Sequence, residues 1–177
     1  MKTNTYAWIA GIIVGIIIAV FVVLRFMNKD GAIKTKYDER QLKARGKAYK
    51  WGMWSMVITL VVMMLFEMEG AFMSSLGFMS YFIPIIVGIV VQVSYSIFTD
   101  AYVGLNTNMT RYIVMMIVIS AFNLFVGVMA ILHGQMLTDG KLAGAFSNLC
   151  VGLMFIVIAI ELIIKKMIDG REERDAE

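Results

Sequence analysis

The chain has few charged residues and a large excess of apolar ones. Charged residues make up 16% of its 177 positions, hydrophobic residues make up 60%, and the mean hydropathy is +0.79. A soluble domain of this composition would have too little polar surface to face water. The composition therefore argues against a soluble fold and predicts an integral membrane protein.

Cysteine, histidine and proline each occur only once. The single Cys150 excludes an intramolecular disulfide and a cysteine cluster for metal binding. Met64 and Met68 have one-turn spacing, and thioethers favour Cu(I), but methionine is also common as flexible apolar packing. Serine, acidic residues and the lone His133 are dispersed along the predicted spans. We therefore expect no catalytic residues, no cofactor and no metal, and predict that the chain is not an enzyme.

Five apolar stretches are long enough to cross a bilayer, which takes about 20 helical residues. No alternating ten-residue pattern suggests a barrel. The pattern predicts an all-α polytopic membrane helix bundle, with residues 1–177 forming one integral membrane domain. The predicted spans lie at about 6–26, 49–68, 79–98, 112–132 and 142–164.

The basic residues fall almost entirely in alternate connections between these spans. Of the 16 Lys and Arg residues, only Lys2 and Lys141 lie on the opposite side from the rest. Short loops rich in Lys and Arg stay on the cytoplasmic side. With an odd number of spans, this charge bias predicts the N-terminus outside and the C-terminus inside.

The basic cytoplasmic loop, residues 27–50, is the longest polar segment. Asp38 and Gln41 have the spacing of a capping box, and good helix formers follow them. We expect the helix to contact anionic lipid headgroups or a cytoplasmic or membrane protein partner. Nucleic acid is not an expected partner, because only a few of these cations could reach phosphates at once. The candidate contact residues are Arg40, Lys43, Arg45, Lys47 and Lys50.

Two strings in this loop carry a family resemblance. Residues 37–41 are Tyr-Asp-Glu-Arg-Gln, and residues 45–50 are Arg-Gly-Lys-Ala-Tyr-Lys at the entry to a span. They resemble the loop of small uncharacterised multi-pass membrane proteins of Firmicutes, whose pattern of about five spans in a short chain is also similar. Those families have no established activity, and their genes are often described beside small helix-turn-helix regulators. The resemblance implies membrane-linked regulation and supplies no catalytic residues.

Amide and small side chains recur inside the spans, where polar groups usually face other helices or a cavity. Gln92, Asn123 and Asn148 could form one polar ladder between spans three to five. The ladder would serve either as helix-to-helix hydrogen bonding or as a small pocket or narrow polar path.

Glycines at helical spacing predict close helix packing. Gly11 and Gly15 form a G-x-x-x-G pattern in span one, which could pack on another span or on a second copy in a homodimer. The other packing glycines are Gly88, Gly127 and Gly152.

The spans hold no ionisable side chain near the membrane midplane, where proton pumps and ion-coupled carriers normally need one. Glu161 lies near the cytoplasmic edge, four residues before Lys165, and we predict an ion pair between them. Our leading hypothesis is a non-enzymatic multi-pass protein of the bacterial cytoplasmic membrane that acts through contacts of its basic loop. The alternative is a small transporter or channel subunit that uses the polar path.

Overall fold

The described part of the protein consists of helices that are joined by loops and by one short hairpin. The computed structural model describes residue 14 and residues 17–18, 20–69 and 75–175. Most of the predicted span 6–26, including Gly11 and Gly15, lies outside the described residues. The elements are α1 (described over 20–27), α2 (Glu39–Glu69), α3 (Met79–Phe98), α4 (Met109–Leu132), β1 (Leu137–Thr138), β2 (Lys141–Leu142) and α5 (Phe146–Asp175). The prediction of an all-α bundle is confirmed for these residues.

Four of the described helices, α2 to α5, are long and apolar enough to cross a membrane. At about 1.5 Å per residue, α3 is about 30 Å long, close to the thickness of the hydrocarbon layer. Helices α2, with 31 residues, and α5, with 30 residues, are longer than this layer requires. Helix α2 begins at Glu39 in the basic loop, and α5 ends at Asp175, so both extend beyond the predicted spans at the same end of the bundle. We call this end, where α3 also ends and α4 begins, the basic end.

The helices pack in the order α2, α3, α5, α4. Helices α2 and α3 meet at Gly52 and Gly88. A Cβ atom on Gly52 would lie 2.8 Å from the carbonyl oxygen of Gly88, and one on Gly88 would lie 2.9 Å from the carbonyl oxygen of Gly52. The two backbones approach this closely because neither residue has a side chain.

The contact between α4 and α5 uses the two other predicted packing glycines. Gly127 faces the side chain of Leu149, and a Cβ atom on Gly152 would lie 2.7 Å from the Cδ2 atom of Leu124. The hydroxyl of Ser120 also donates a hydrogen bond to the carbonyl oxygen of Gly152, at 2.8 Å. Each helix therefore inserts a leucine over a glycine of the other.

The best-buried apolar cluster lies near the basic end. It joins Ile97 at the end of α3, Ile113 and Met116 near the start of α4, and Ile158 and Leu162 of α5. Elsewhere on these helices many large apolar side chains are exposed. Lipid tails would cover such surfaces, so this distribution fits a membrane protein.

A two-stranded hairpin connects α4 to α5, where the sequence predicted only a short connection. Its turn residues, Asp139 and Gly140, have φ angles of 51° and 74°, as a type I′ turn requires. Leu142 pairs with Leu137 in this hairpin. Helix α5 accordingly begins at Phe146, later than the predicted span start at residue 142.

The Gly52 contact can be tested with a matched pair of substitutions in α2. Gly52→Ala would place a methyl group 2.7 Å from the Cβ atom of Gln92, so α2 and α3 would have to separate. We expect the free energy of unfolding to fall by about 1–3 kcal/mol. Gly46→Ala, on the same helix, meets no heavy atom within 4 Å and should raise stability by up to about 1 kcal/mol.

The measurement is the unfolding midpoint of the full chain in detergent. Equal effects of the two substitutions would contradict the close α2/α3 crossing.

Candidate functional site

At the basic end, two polar loops fold against each other and against the extensions of α2 and α5. We call this unit the platform, and define it as residues 28–50, 99–108 and 162–169. The antiparallel course of the helices places these segments together, because α3 returns the chain to the end at which α2 begins. The platform contains all five candidate contact residues of the basic loop.

Gln41 anchors the start of α2 to the loop that follows α3. Its backbone N–H donates to the carboxylate of Asp38 at 2.6 Å, and its side-chain Oε1 accepts from the Asp38 N–H at 3.3 Å. The predicted capping box is thus confirmed. The side-chain Nε2 donates to the carbonyl oxygens of Asp100, at 2.6 Å, and Val103, at 3.2 Å. Only 5% of Gln41 is exposed, so these bonds satisfy polar groups that are removed from water.

Arg45 makes a second anchor one helical turn later. Its guanidinium lies 4.2 Å from the ring centroid of Tyr37 and 5.9 Å from that of Tyr49. It also donates to the carbonyl oxygen of Ala101 at 3.2 Å. The cation is therefore held inside the platform by cation–π contacts and a backbone acceptor. Burial raises the pKa of the Tyr37 phenol, so this ring remains neutral beneath the arginine at physiological pH.

Asn106 joins the two loops directly. It accepts from the backbone N–H of Lys36 at 2.8 Å and donates to both carboxylate oxygens of Asp30, at 3.1 and 3.2 Å. The N–H of Ala32, the Lys36 ammonium and the Asn106 amide lower the pKa of Asp30, since each favours the carboxylate.

Backbone contacts complete the junction of the loops. Asn28 and Thr107 form an isolated antiparallel bridge, and the Thr107 hydroxyl donates to the Asn28 side chain at 2.9 Å. Gly104 packs against Thr35, and a Cβ atom there would lie 2.8 Å from the carbonyl oxygen of Lys36. The basic loop is therefore held in a defined conformation.

Asp100 connects three segments of the platform through charge. Its carboxylate lies 2.7 Å from the Lys165 ammonium of α5 and 3.5 Å from the Arg40 guanidinium of α2. Lys165 also contacts Asp169 at 2.6 Å. The predicted pair between Glu161 and Lys165 is wrong: Glu161 instead accepts from the Ser94 hydroxyl at 2.7 Å, which ties α5 to α3.

A cavity of about 190 Å³ opens beside this charged group. Its lining combines the apolar side chains of Ile97 and Leu162 with the polar side chains of Asp100, Lys165 and Asp169. The Lys165 ammonium lies between the two carboxylates and offsets the charge of one of them, while the Arg40 guanidinium lies 3.5 Å from the Asp100 carboxylate. Gln41 also lines the cavity. Among the described residues, no three His, Cys, Asp or Glu side chains lie close enough together to hold a metal ion.

The five predicted contact residues separate into two groups. Arg45 is held within the platform, and Arg40, whose side chain is 69% exposed, pairs with Asp100 at the platform surface. Lys43, Lys47 and Lys50 are exposed, and their side chains make no hydrogen bond or ion pair with another residue of the described ranges. Of the five predicted contact residues, the three lysines are therefore the ones whose positive charge has no partner among the described residues.

The three amides of the predicted ladder are not joined to one another by hydrogen bonds in the described structure. Gln92 lies on α3 next to Gly52 of α2. Asn123 donates to the carbonyl oxygen of Ile119 in its own helix at 2.8 Å, and Asn148 donates to that of Ala145, the residue directly before α5, at 3.4 Å. Helix α3 packs between α2 and α5. Gln92 lies at the contact between α2 and α3, whereas Asn123 and Asn148 belong to the two helices of the α4/α5 contact.

Several platform residues were not identified from the sequence, namely Asp100, Gly104, Asn106 and Thr107. They lie in the shorter loop, and only long-range contacts give them a role. One local signal was available in that segment: Asn108 caps α4, and its side chain accepts from the N–H of Arg111 at 3.1 Å. Asn is a favoured residue at this position.

The ion pairs of Asp100 with Lys165 and Arg40 can be tested by replacing Asp100 with asparagine. The backbone of Asp100 has a φ of 57°, which asparagine also tolerates, so Asp100→Asn removes the charge and retains the backbone conformation. Lys165 is only 14% exposed at its side chain, and we expect the free energy of unfolding to fall by about 1–2 kcal/mol.

Lys36→Gln is the control. It breaks a pair whose side chains are 67% and 35% exposed, and should change stability by less than about 0.5 kcal/mol. The unfolding midpoint of both variants is measured by thermal unfolding in detergent. If Asp100→Asn lowers the midpoint no more than Lys36→Gln does, the ion pairs of Asp100 have no structural role.

No protein-family model, curated protein or solved structure matches this chain. The geometry of the platform and the distribution of charge on it are therefore the basis for a functional proposal. The features to be explained are the anchored basic helix, the three free lysines, and the long apolar helices beneath them.

Proposed function

We propose that this chain is a five-span protein of the bacterial cytoplasmic membrane that acts by contact and not by catalysis. Its N-terminus lies outside and its C-terminus inside, which makes the platform cytoplasmic. The platform presents the exposed side of α2 to a binding partner at the inner membrane surface. A role in membrane-linked regulation agrees with the resemblance of the basic loop to that of the Firmicutes proteins.

The observation that carries this proposal is the anchoring of the basic segment. Gln41 and Arg45 bind the loop after α3 through three backbone carbonyls, those of Asp100, Val103 and Ala101. A segment that served only to hold the topology would need positive charge and no such fixed arrangement. A fixed arrangement lowers the entropy cost of binding, and so favours a contact surface.

The positions of the polar side chains favour contact over transport. A transporter path would have to connect Gln92, Asn123 and Asn148 along one axis of the bundle. Each asparagine donates to a backbone carbonyl three or four residues earlier in the chain, and Gln92 lies toward α2. These positions support packing roles for the three amides.

Cysteine labelling tests the orientation. In a Cys150→Ser background, Lys34→Cys should resist a membrane-impermeant maleimide in intact cells, while Lys141→Cys should react, because the two exposed positions lie at opposite ends of the bundle. Both should react in permeabilised cells. Labelling of Lys34→Cys in intact cells would reverse the proposed topology.

Photo-crosslinking tests the contact. A photoreactive residue placed at Lys47 should give a discrete lipid or protein adduct in native membranes, identified by mass spectrometry, and the adduct should weaken in a Gln41→Leu background. The same residue at Lys141 is the control. Equal yields at the two positions would contradict a specific surface on the platform.

A further inference from the structure

Helix α2 has two faces with opposite environments. Gln41, Arg45, Ala48 and Gly52 recur every three or four residues, and they face the platform or α3. Lys43, Lys47, Lys50 and Trp54 recur with the same spacing on the other side of the helix. The second face is exposed along its whole length.

The exposed face changes its chemistry in one direction along the helix. It begins with the three lysines, continues with the indole of Trp54, and ends with aliphatic side chains. Trp54, Ile58, Val61 and Leu65 are between 48% and 60% exposed. We call this face the lipid stripe and define it by Lys43, Lys47, Lys50, Trp54, Ile58, Val61 and Leu65.

This order matches the layers of one bilayer leaflet. Lysines fit the anionic headgroup layer, tryptophan is enriched at the interface below it, and aliphatic residues fit the hydrocarbon. The lysines extend over about 10 Å along the helix axis, and Trp54 follows Lys50 by one further turn. A single phospholipid beside α2 could therefore place its phosphate at the lysines and its tails along the aliphatic part.

Charge on the stripe argues against a second copy of this chain as its occupant. Two copies in one membrane have the same orientation, so a two-fold contact through this face would bring the lysines of one helix against those of the other. Like charges at such a contact are repulsive. The two arginines of α2 do not belong to this face: Arg40 pairs with Asp100, and Arg45 contacts Tyr37 and the carbonyl oxygen of Ala101.

We infer that the lipid stripe is a binding site for an anionic phospholipid, with Lys43, Lys47 and Lys50 contacting the headgroup phosphate and Trp54 at the interface. This inference rests on the proposed function and names the partner of that surface. Lipids with a net negative charge are favoured over zwitterionic lipids, since the latter carry a compensating positive group.

Tryptophan quenching in reconstituted vesicles tests the inference. Replacing Trp8 and Trp51 by phenylalanine leaves Trp54 as the only tryptophan of the full chain. The fluorescence of Trp54 is then quenched by whichever lipid with brominated tails lies next to it, either phosphatidylglycerol or phosphatidylcholine. We expect the parent protein to associate with phosphatidylglycerol at least about fivefold more tightly than with phosphatidylcholine. This preference should fall by up to about fivefold with each lysine that is replaced by glutamine.

A charge-matched control separates this site from a general attraction. The variant Lys43→Gln, Lys47→Gln, Lys50→Gln should lose the preference for phosphatidylglycerol. The variant Lys29→Gln, Lys34→Gln, Lys141→Gln removes the same charge from exposed positions outside the stripe and should retain it. Gel filtration and the unfolding midpoint establish that both variants are folded, and the three single substitutions replace the triple one if it is not.

Three outcomes would overturn the inference. These are no preference in the parent protein, an equal loss in both triple variants, or a preference that survives the stripe variant. Because reconstituted vesicles can contain both orientations and the reporter is at the stripe itself, the result does not depend on the proposed topology. Crosslinking of Lys47 to a protein, together with no lipid preference at Trp54, would assign the surface to a protein partner and refute the lipid site.

Discussion

The side chain of Gln41 joins the start of one helix to a loop 59 to 62 residues later in the chain. Its oxygen completes the cap of α2, and its nitrogen satisfies two carbonyl groups of the loop. An unsatisfied buried polar group costs about 1–3 kcal/mol, so replacing this amide with an apolar side chain would leave both loop carbonyls unpaired. Local helix initiation and long-range docking thus depend on the same buried group.

This docking determines which cations are available for binding. Arg45 follows Gln41 by one turn on the same helix face, so anchoring Gln41 also places Arg45 over Tyr37 and beside Ala101. Arg40 is brought to Asp100, where Lys165 already pairs. The lysines on the opposite face are left without internal partners in the described structure, and they form the surface that we propose binds anionic groups.

A membrane environment explains the kind of contacts that the apolar helices make with one another. Helices that face lipid need little apolar burial against one another, and their association depends on close backbone approach and on hydrogen bonds. Gly52 against Gly88 and the Ser120 bond to Gly152 supply these contacts. Because little burial between helices is needed, one complete face of α2 stays exposed. Along this face the residues change from lysine to tryptophan to aliphatic, in the order of the layers of one leaflet.

The sequence by itself determined the helical class, the positions of the long apolar segments and the capping box at Asp38. These follow from local chemistry: composition, segment length, and side-chain bonds between residues three apart. The orientation, the number of spans and the function derived from these patterns stay predictions. The hairpin at Asp139 and Gly140 was missed, although its turn dipeptide is a strong local signal.

Only the tertiary structure decided the partners of individual charges and amides. The spacing of Glu161 and Lys165 is compatible with an ion pair, yet Lys165 binds Asp100, which is distant in sequence, and Glu161 binds Ser94. Depth alone could align Gln92, Asn123 and Asn148, but helix order separates Gln92 from the other two. Helical periodicity specifies which residues share a face; which neighbour that face meets depends on how distant segments pack.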